Sequence, residues 1–252
     1  MEAVFNLLLP TSWEELTDKQ LLMVYDLFSR DLSAAELKTL CLCKWNRLKV
    51  VASLPDKRFI VKIKGENEVT LTARQLQQAA SCLNFLDSFA PMPLRVSCIG
   101  PCKALAADFE KVPFEKYLYA DNLFQGYLHT QQEHLLVQMA QVLYDSDEVK
   151  PTQAHLVGVF YWMASLKQYF AQMFPNFYKP APTGEGSNSL GDEQAELFRK
   201  LTDNTNAMIR ALTGGDITKE ATINKMDTWR ALTELDAKAR EAEEFRKAAK
   251  RP

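Results

Sequence analysis

Histidine, glycine and cysteine are scarce in this chain of 252 residues, which contains 3, 9 and 5 of them respectively. The few glycines form no phosphate-binding or dinucleotide-binding pattern, and no serine lies in a nucleophile-elbow motif. The apolar run at 156–166 is too short to span a bilayer. Because the formal net charge is only −2, we expect no membrane partner and no nucleic acid partner, and we predict no cofactor.

The cysteines and histidines bear on metal binding and on location. Cys41, Cys43, Cys98 and Cys102 could supply four thiolates to zinc, but the first two lie in a predicted helix, about 200° apart. We therefore predict no metal and no disulfide, and we interpret the three histidines as surface residues. The odd cysteine count and the absence of signal-peptide features indicate free thiols in the cytoplasm.

Capping-box patterns mark helix starts in the first third of the chain. In this pattern a hydroxyl accepts from a backbone N–H, and a Glu or Gln three residues later reaches back to the cap. The four matches begin at Ser12, Thr17, Ser33 and Thr72. Together with apolar periodicity, they and later patterns predict helices over 17–30, 33–49, 73–87 and 114–144, the last with a break at 129–130.

The residue period changes to two at 58–64, which indicates a strand. Residues 65–67 form the predicted turn, and 68–71 return as the second strand of an antiparallel hairpin. Since a lone hairpin is marginally stable in water, we expect a third strand, and 94–98 is the candidate.

The helix that carries 156–164 is apolar almost all round, which is typical of a helix in the middle of a core. We expect Val157, Phe160, Tyr161 and Ala164 to pack against Leu136, Met139 and Leu143. The fold class is therefore mainly α: a helical bundle with a small antiparallel hairpin or three-stranded sheet, and a C-terminal helical module.

Two prolines and three glycines at 177–192 are typical of a linker. It divides a helical domain at 1–176 from a C-terminal module at 193–252. The module begins with an amphipathic helix at 193–213, which Gly214 suits as the left-handed residue after its end. The charged stretch after Asp236 is typical of a solvated helical tail.

The helix that follows Gly214 carries apolar residues at intervals of three, which drift round a helix instead of forming one stripe. Either this helix breaks near Asp227, or it is contacted on several sides. We predict a partner-binding surface here, since interface energy concentrates on aromatic side chains. Its residues are Trp229, Met226, Leu232, Leu235, Phe174 and Phe177. In the alternative, the same residues fold back and close the core.

Several segments, read in order, carry a family resemblance. They are LPTSWEELTDKQ at 9–20, FEKYLYAD at 114–121, LLVQMAQVLY at 135–144 and ALTGGDITK at 211–219. In this order the chain resembles the tail assembly chaperone-like proteins of Bacteroidetes tailed phages and prophages. The resemblance spans roughly 9–240 and carries no catalytic residues, so it implies a non-enzymatic protein.

The resemblance implies a role in building a phage tail in the bacterial host cytoplasm. Such proteins are thought to shield the helical tape-measure protein until tube subunits replace them. The implied partners are a tape-measure-like helical protein or other tail proteins, and a homo-oligomer stays open. The alternative is a structural virion or contractile injection-system component that remains in the particle.

Overall fold

The structure, a computed structural model, describes residues 9–55, 57–63, 68–179 and 193–249. The chain divides into two compact units, the first formed by Met1–Ala90 with Thr152–Gly158 and the second by Pro91–Pro151 with Val159–Pro252. The predicted boundary at 176 does not coincide with this division. Most of the predicted linker, 180–192, lies outside the described residues.

The described chain is mainly α-helical with a small antiparallel sheet, as predicted. The helices are α1 Asp18–Phe28, α2 Ala34–Trp45, α3 Ala73–Ser81, α4 Phe114–Thr130, α5 Glu133–Leu143, α6 Gln153–Met173, α7 Glu193–Thr213, α8 Glu220–Asn224 and α9 Thr228–Ala249. The strands are β1 Leu48–Ser53, β2 Arg58–Ile63, β3 Glu68–Thr72, β4 Cys98–Ile99 and β5 Cys102–Lys103.

Capping boxes start α1, α2 and α3, at Thr17, Ser33 and Thr72, as the sequence predicts. The fourth expected box, at Ser12, is absent, and only the short 3-10 turn Trp13–Glu15 follows that serine. The Glu15 carboxylate instead accepts from the Thr11 backbone N–H at 2.6 Å. The motif therefore marked three helix starts correctly and one turn.

The predicted hairpin is confirmed, because β2 pairs with β3 in antiparallel register from Arg58 opposite Thr72 to Lys62 opposite Glu68. The third strand is β1, which pairs with the other edge of β2. The expectation that 94–98 joins this sheet is wrong, since Cys98–Ile99 pairs only with Cys102–Lys103. Strand β1 begins at Leu48, so only its first two residues overlap the predicted helix 33–49.

Helix α2 ends earlier than predicted because the backbone enters the left-handed conformation soon after Trp45. Its helical pattern stops at Trp45, and Arg47 takes a left-handed φ of 54°. The chain then extends at once into β1, where two consecutive valines favour a strand. Helix 73–87 is likewise shorter, since α3 ends at Ser81 and the 3-10 turn Asn84–Asp87 follows.

In the first unit, the start of α6 approaches α1 closely. A Cβ atom at Gly158 would lie 2.8 Å from Cδ2 of the buried Tyr25 ring. Real Cβ atoms do not approach a neighbour so closely, so this contact requires a glycine. The tyrosine ring thus occupies the space that any other residue at 158 would need.

The N-terminus of α6 is capped by a histidine. Nδ1 of His155 accepts from the Thr152 backbone N–H at 3.1 Å and lies 2.7 Å from the Thr152 hydroxyl. This arrangement requires the neutral imidazole. Burial lowers the pKa of His155 below its ordinary value.

We predict that the stability of the protein falls as the pH drops below about 6.5, because the unfolded chain then binds a proton at His155 that the folded chain resists. His155→Gln should weaken this pH dependence, since glutamine keeps an acceptor, as Gln20 does beside Thr17. Urea unfolding at neutral and mildly acidic pH measures the effect. The exposed His134→Gln is the control, and an unchanged pH dependence in His155→Gln would contradict the prediction.

In the second unit, α4 and α5 are separated by Gln131, whose φ of 55° and N–H bond to the Tyr127 carbonyl end α4. This is the predicted break, one or two residues further along. Gly214 and Gly215 end α7 with φ of 65° and 87°, also as predicted. A further break near Asp227 separates α8 from α9. The apolar residues spaced by three therefore do not lie on one continuous helix.

Helix α6 carries many buried residues, but the face that was expected to be buried is wrong. Val157, Phe160, Tyr161 and Ala164 are all half-exposed. The buried residues are Ala154, Leu156, Gly158, Val159, Trp162, Met163, Ser165, Leu166 and Phe170. Because apolar side chains surround this helix, its pattern could not select a face. The expected partners Leu136, Met139 and Leu143 are buried.

We predict that Trp162→Ala costs about 3–5 kcal/mol of unfolding free energy, as large aromatic truncations in cores do. The Trp162 side chain is 1% exposed, and its indole N–H donates to the Ala107 carbonyl at 2.7 Å. Phe160→Ala should cost less, because that ring is half-exposed. Urea denaturation of both variants measures the order, and a larger loss for Phe160→Ala would contradict it.

Candidate functional site

All six predicted partner-binding residues belong to the second unit, and three of them are buried. Leu232 is 0% exposed, and Leu235 and Phe174 are also buried. Trp229 is half-buried, and its indole N–H donates to the Asp108 carbonyl at 2.8 Å. Its ring centroid lies 5.5 Å from that of Phe174. These side chains pack on one another instead of presenting a surface.

Backbone hydrogen bonds fasten the start of α9 to the start of α4. The Phe114 N–H donates to the Met226 carbonyl at 2.8 Å, and the Thr228 N–H donates to the Val112 carbonyl at 2.9 Å. The Thr228 hydroxyl donates to the same carbonyl at 2.7 Å. These bonds agree with the alternative in which the C-terminal residues close the core, and the expected surface around Trp229 is corrected accordingly.

The turn that precedes the undescribed segment is held by a carboxylate of α9. Oδ1 of Asp236 accepts from the backbone N–H groups of Asn176 and Phe177, and Oδ2 accepts from the Asn176 side chain. Burial acts to raise the pKa of Asp236, but these hydrogen bonds and Arg240 outweigh it and lower the pKa. The position of Phe177 is thereby fixed.

Phe177 lies at the edge of a groove of about 710 Å³ in the second unit, which we call the α7 groove. Its apolar wall comes from Leu197, Leu201, Ala207 and Met208 of α7. Its polar wall comes from Asp121, Asn122, Gln125 and His129 of α4, and its other lining residues are Tyr117, Lys167, Phe177, Tyr178, Lys179, Lys200 and Asn204. Of the six predicted partner-binding residues, Phe177 alone lines it.

The apolar stripe of α7 is incompletely covered. Among the α7 residues whose burial is described, only Thr213 is buried. Its large apolar residues, Leu197, Leu201, Met208, Ile209 and Leu212, are each half-buried. An amphipathic helix normally buries this stripe, so α7 leaves apolar surface for a further contact.

The floor of the α7 groove is polar and ordered by internal contacts. Oδ1 of Asp121 lies 2.8 Å from Nζ of Lys167, and Nζ lies 5.1 Å from the centre of the Tyr178 ring. The Tyr117 and Tyr178 hydroxyls share a hydrogen bond. Burial is the main cause that raises the pKa of both tyrosines well above the ordinary value. The hydroxyls therefore stay protonated and serve as hydrogen-bonding groups.

A second groove, of about 700 Å³, lies in the first unit between α2 and α3. Small residues dominate its walls, including Ala34, Ala35, Ala73 and Ala80. Lys38 closes one end, where its Nζ donates to Asn84 Oδ1 at 2.8 Å. This groove lacks the long stripe of large, half-buried apolar side chains that lines the α7 groove.

The remaining candidates for chemistry are the cysteine thiols and any group of side chains that could bind a metal ion. Burial raises the pKa of Cys41 to about 12, which makes this thiol a poor nucleophile. Within residues 9–55, 57–63, 68–179 and 193–249, no three His, Cys, Asp or Glu side chains are grouped to hold a metal ion. In the same ranges no helix has both the length and the apolar character needed to cross a bilayer.

No protein-family model, curated protein or solved structure matches the chain. The site is therefore assigned from its own geometry. Sequence reasoning identified the stripe of α7 but missed the α4 residues that face it. Asp121 and Asn122 lie in a helix of mixed pattern, and no local signal distinguishes them from other surface residues.

Proposed function

We propose that this protein is a non-enzymatic tail morphogenesis protein of a phage or prophage, and that it acts as a tail assembly chaperone that shields the helical tape-measure protein. Two observations support the proposal. Several segments between 9 and 240, read in their order along the chain, resemble such chaperones. The half-buried stripe of α7 also lines a groove in the second unit. The stripe carries the argument, because a shielding protein needs apolar surface of its own.

A partner helix would dock by laying its apolar residues along α7. Residues spaced by three and four on the partner form a stripe that matches Leu197, Leu201 and Met208, which are spaced by four and seven. Such a contact excludes water from both stripes. Because the α7 stripe is short and already half-buried, docking would bury little further apolar area, so we expect a reversible contact, as a chaperone that tube subunits displace requires.

The floor of the α7 groove suits binding better than catalysis. Its tyrosines are held protonated, and its carboxylate lies beside the Lys167 ammonium. These groups can hydrogen-bond a polar side chain at the edge of a partner helix. In this proposal the tape-measure-like protein is the partner, the site of action is the bacterial host cytoplasm, and self-association stays an open prediction.

The alternative is a structural component of the virion or of a contractile injection system. The two functions differ in whether the protein is present in the mature particle. A chaperone leaves before the particle is complete, whereas a component stays in fixed stoichiometry. Mass spectrometry of purified particles therefore separates the two. Recovery of the protein in stoichiometric amounts would contradict the chaperone proposal.

We predict that Leu201→Asp combined with Met208→Asp abolishes the ability to keep a co-expressed tape-measure segment soluble. The carboxylates would lie in the apolar wall and lose hydration on docking, so binding should weaken by a factor of about ten or more. Pull-down and sedimentation of the segment measure this loss.

The control is Asn206→Asp, which adds one carboxylate at an exposed position of the same helix, and each single variant, Leu201→Asp or Met208→Asp, is compared with it. Asn206→Asp should leave the soluble fraction of the segment unchanged. Thermal unfolding checks that the double variant remains folded. Full solubility of the segment with a folded double variant would contradict the placement of the binding site.

A further inference from the structure

The three-stranded sheet of the first unit has a partly buried inner face and an outer face that carries the charged residues. Leu48, Val61 and Leu71 are buried on the inner side. The strand register places the next residues on the opposite side, which we call the outer sheet face. Its rows are Lys49, Lys62 and Glu68, then Ala52, Ile60 and Thr70, then Arg58 and Thr72.

Basic residues are concentrated on and beside this face. Between 44 and 62 they are Lys44, Arg47, Lys49, Lys57, Arg58 and Lys62, and all six are exposed. The sole acidic residue in that stretch, Asp56, lies outside the described residues. The local charge is therefore strongly positive, although the chain as a whole has a formal net charge of −2.

Most of these cations lack an acidic partner. Apart from Arg58, none of the six forms an ion pair with a described residue. Elsewhere some lysines are paired, as in Lys38 with Asp87, and others, such as Lys19 and Lys225, form no ion pair with a described residue. The basic stretch differs from the rest of the surface in its density of cations, and its unpaired lysines are available to an external anion.

The sheet also holds two like charges against each other. Lys49 lies directly opposite Lys62 in the register of β1 and β2. Like charges at directly opposed positions destabilise a strand pair. Glu68 lies opposite Lys62 on the other side and can offset one of them only. An anionic ligand that contacts both lysines would remove the repulsion.

We infer that, contrary to the expectation from the net charge, the outer sheet face binds the phosphate backbone of nucleic acid, without sequence preference. Phosphates are bound by charge and hydrogen-bond donors alone, which this face supplies through Lys49, Lys62 and the Thr70 hydroxyl. An acidic protein partner fits less well, because protein interfaces centre on large apolar anchors. The residue at the centre of this face, Ile60, is half-buried.

The test is fluorescence anisotropy of short random-sequence duplex and single-stranded DNA with the full chain, over a range of salt concentrations. Binding should weaken steeply with salt. Lys49→Ala combined with Lys62→Ala should weaken it by a factor of about ten or more at low salt and reduce the log–log salt slope by about 2, if each lysine neutralises one phosphate.

The control is Lys19→Ala combined with Lys225→Ala, which removes the same charge at exposed positions away from the sheet. It should leave the affinity and the salt slope nearly unchanged. The inference is overturned if neither DNA binds at low salt, or if both double variants lose equal affinity. A preference for poly-glutamate over DNA at equal charge concentration would favour an acidic protein partner and would also overturn it.

Discussion

The second unit depends on the junction between Val112–Phe114 and Met226–Thr228. Two backbone hydrogen bonds, of 2.8 and 2.9 Å, cross it in opposite directions. The Thr228 side chain is completely buried and adds a third bond. Because buried backbone groups must be paired, separating these segments would leave four backbone groups and the Thr228 hydroxyl without partners and would expose the apolar side chains beneath them. The junction therefore ties residues more than a hundred positions apart into one core.

The aromatic core follows from that junction. Once α9 begins at Thr228, Trp229 lies against Phe170 and Phe174, at centroid distances of 5.7 and 5.5 Å. The residues that the sequence offers as a free surface are thus used internally. Helix α7, in contrast, contributes no fully buried large side chain among its described residues. The proposed binding groove is therefore placed at the half-buried stripe of α7 and not at the start of α9.

Local structural motifs could be predicted from the sequence, whereas the choice between equally apolar faces of a helix could not. Capping boxes, the hairpin and the glycines after α7 depend on neighbouring residues, so their patterns located them. The third strand was missed because β1 follows α2 without a turn signal in the sequence. The left-handed backbone conformation of Arg47 takes the chain from helix to strand. The buried face of α6 was missed because all its faces are apolar. For the site, the stripe of α7 was predictable, whereas Asp121 and Lys167 meet only through the tertiary fold.

Hydrogen exchange at single residues tests most directly whether the C-terminal helices are part of this core. The informative amides are those of Phe114 and Thr228, which cross the junction, and that of Leu118 inside α4. If the C-terminal helices belong to this core, all three amides exchange through one cooperative opening, with protection equal within a factor of about ten. This placement of the C-terminal helices is contradicted if the Thr228 amide exchanges orders of magnitude faster than that of Leu118, because the C-terminal segment would then open alone, as a hinged module does.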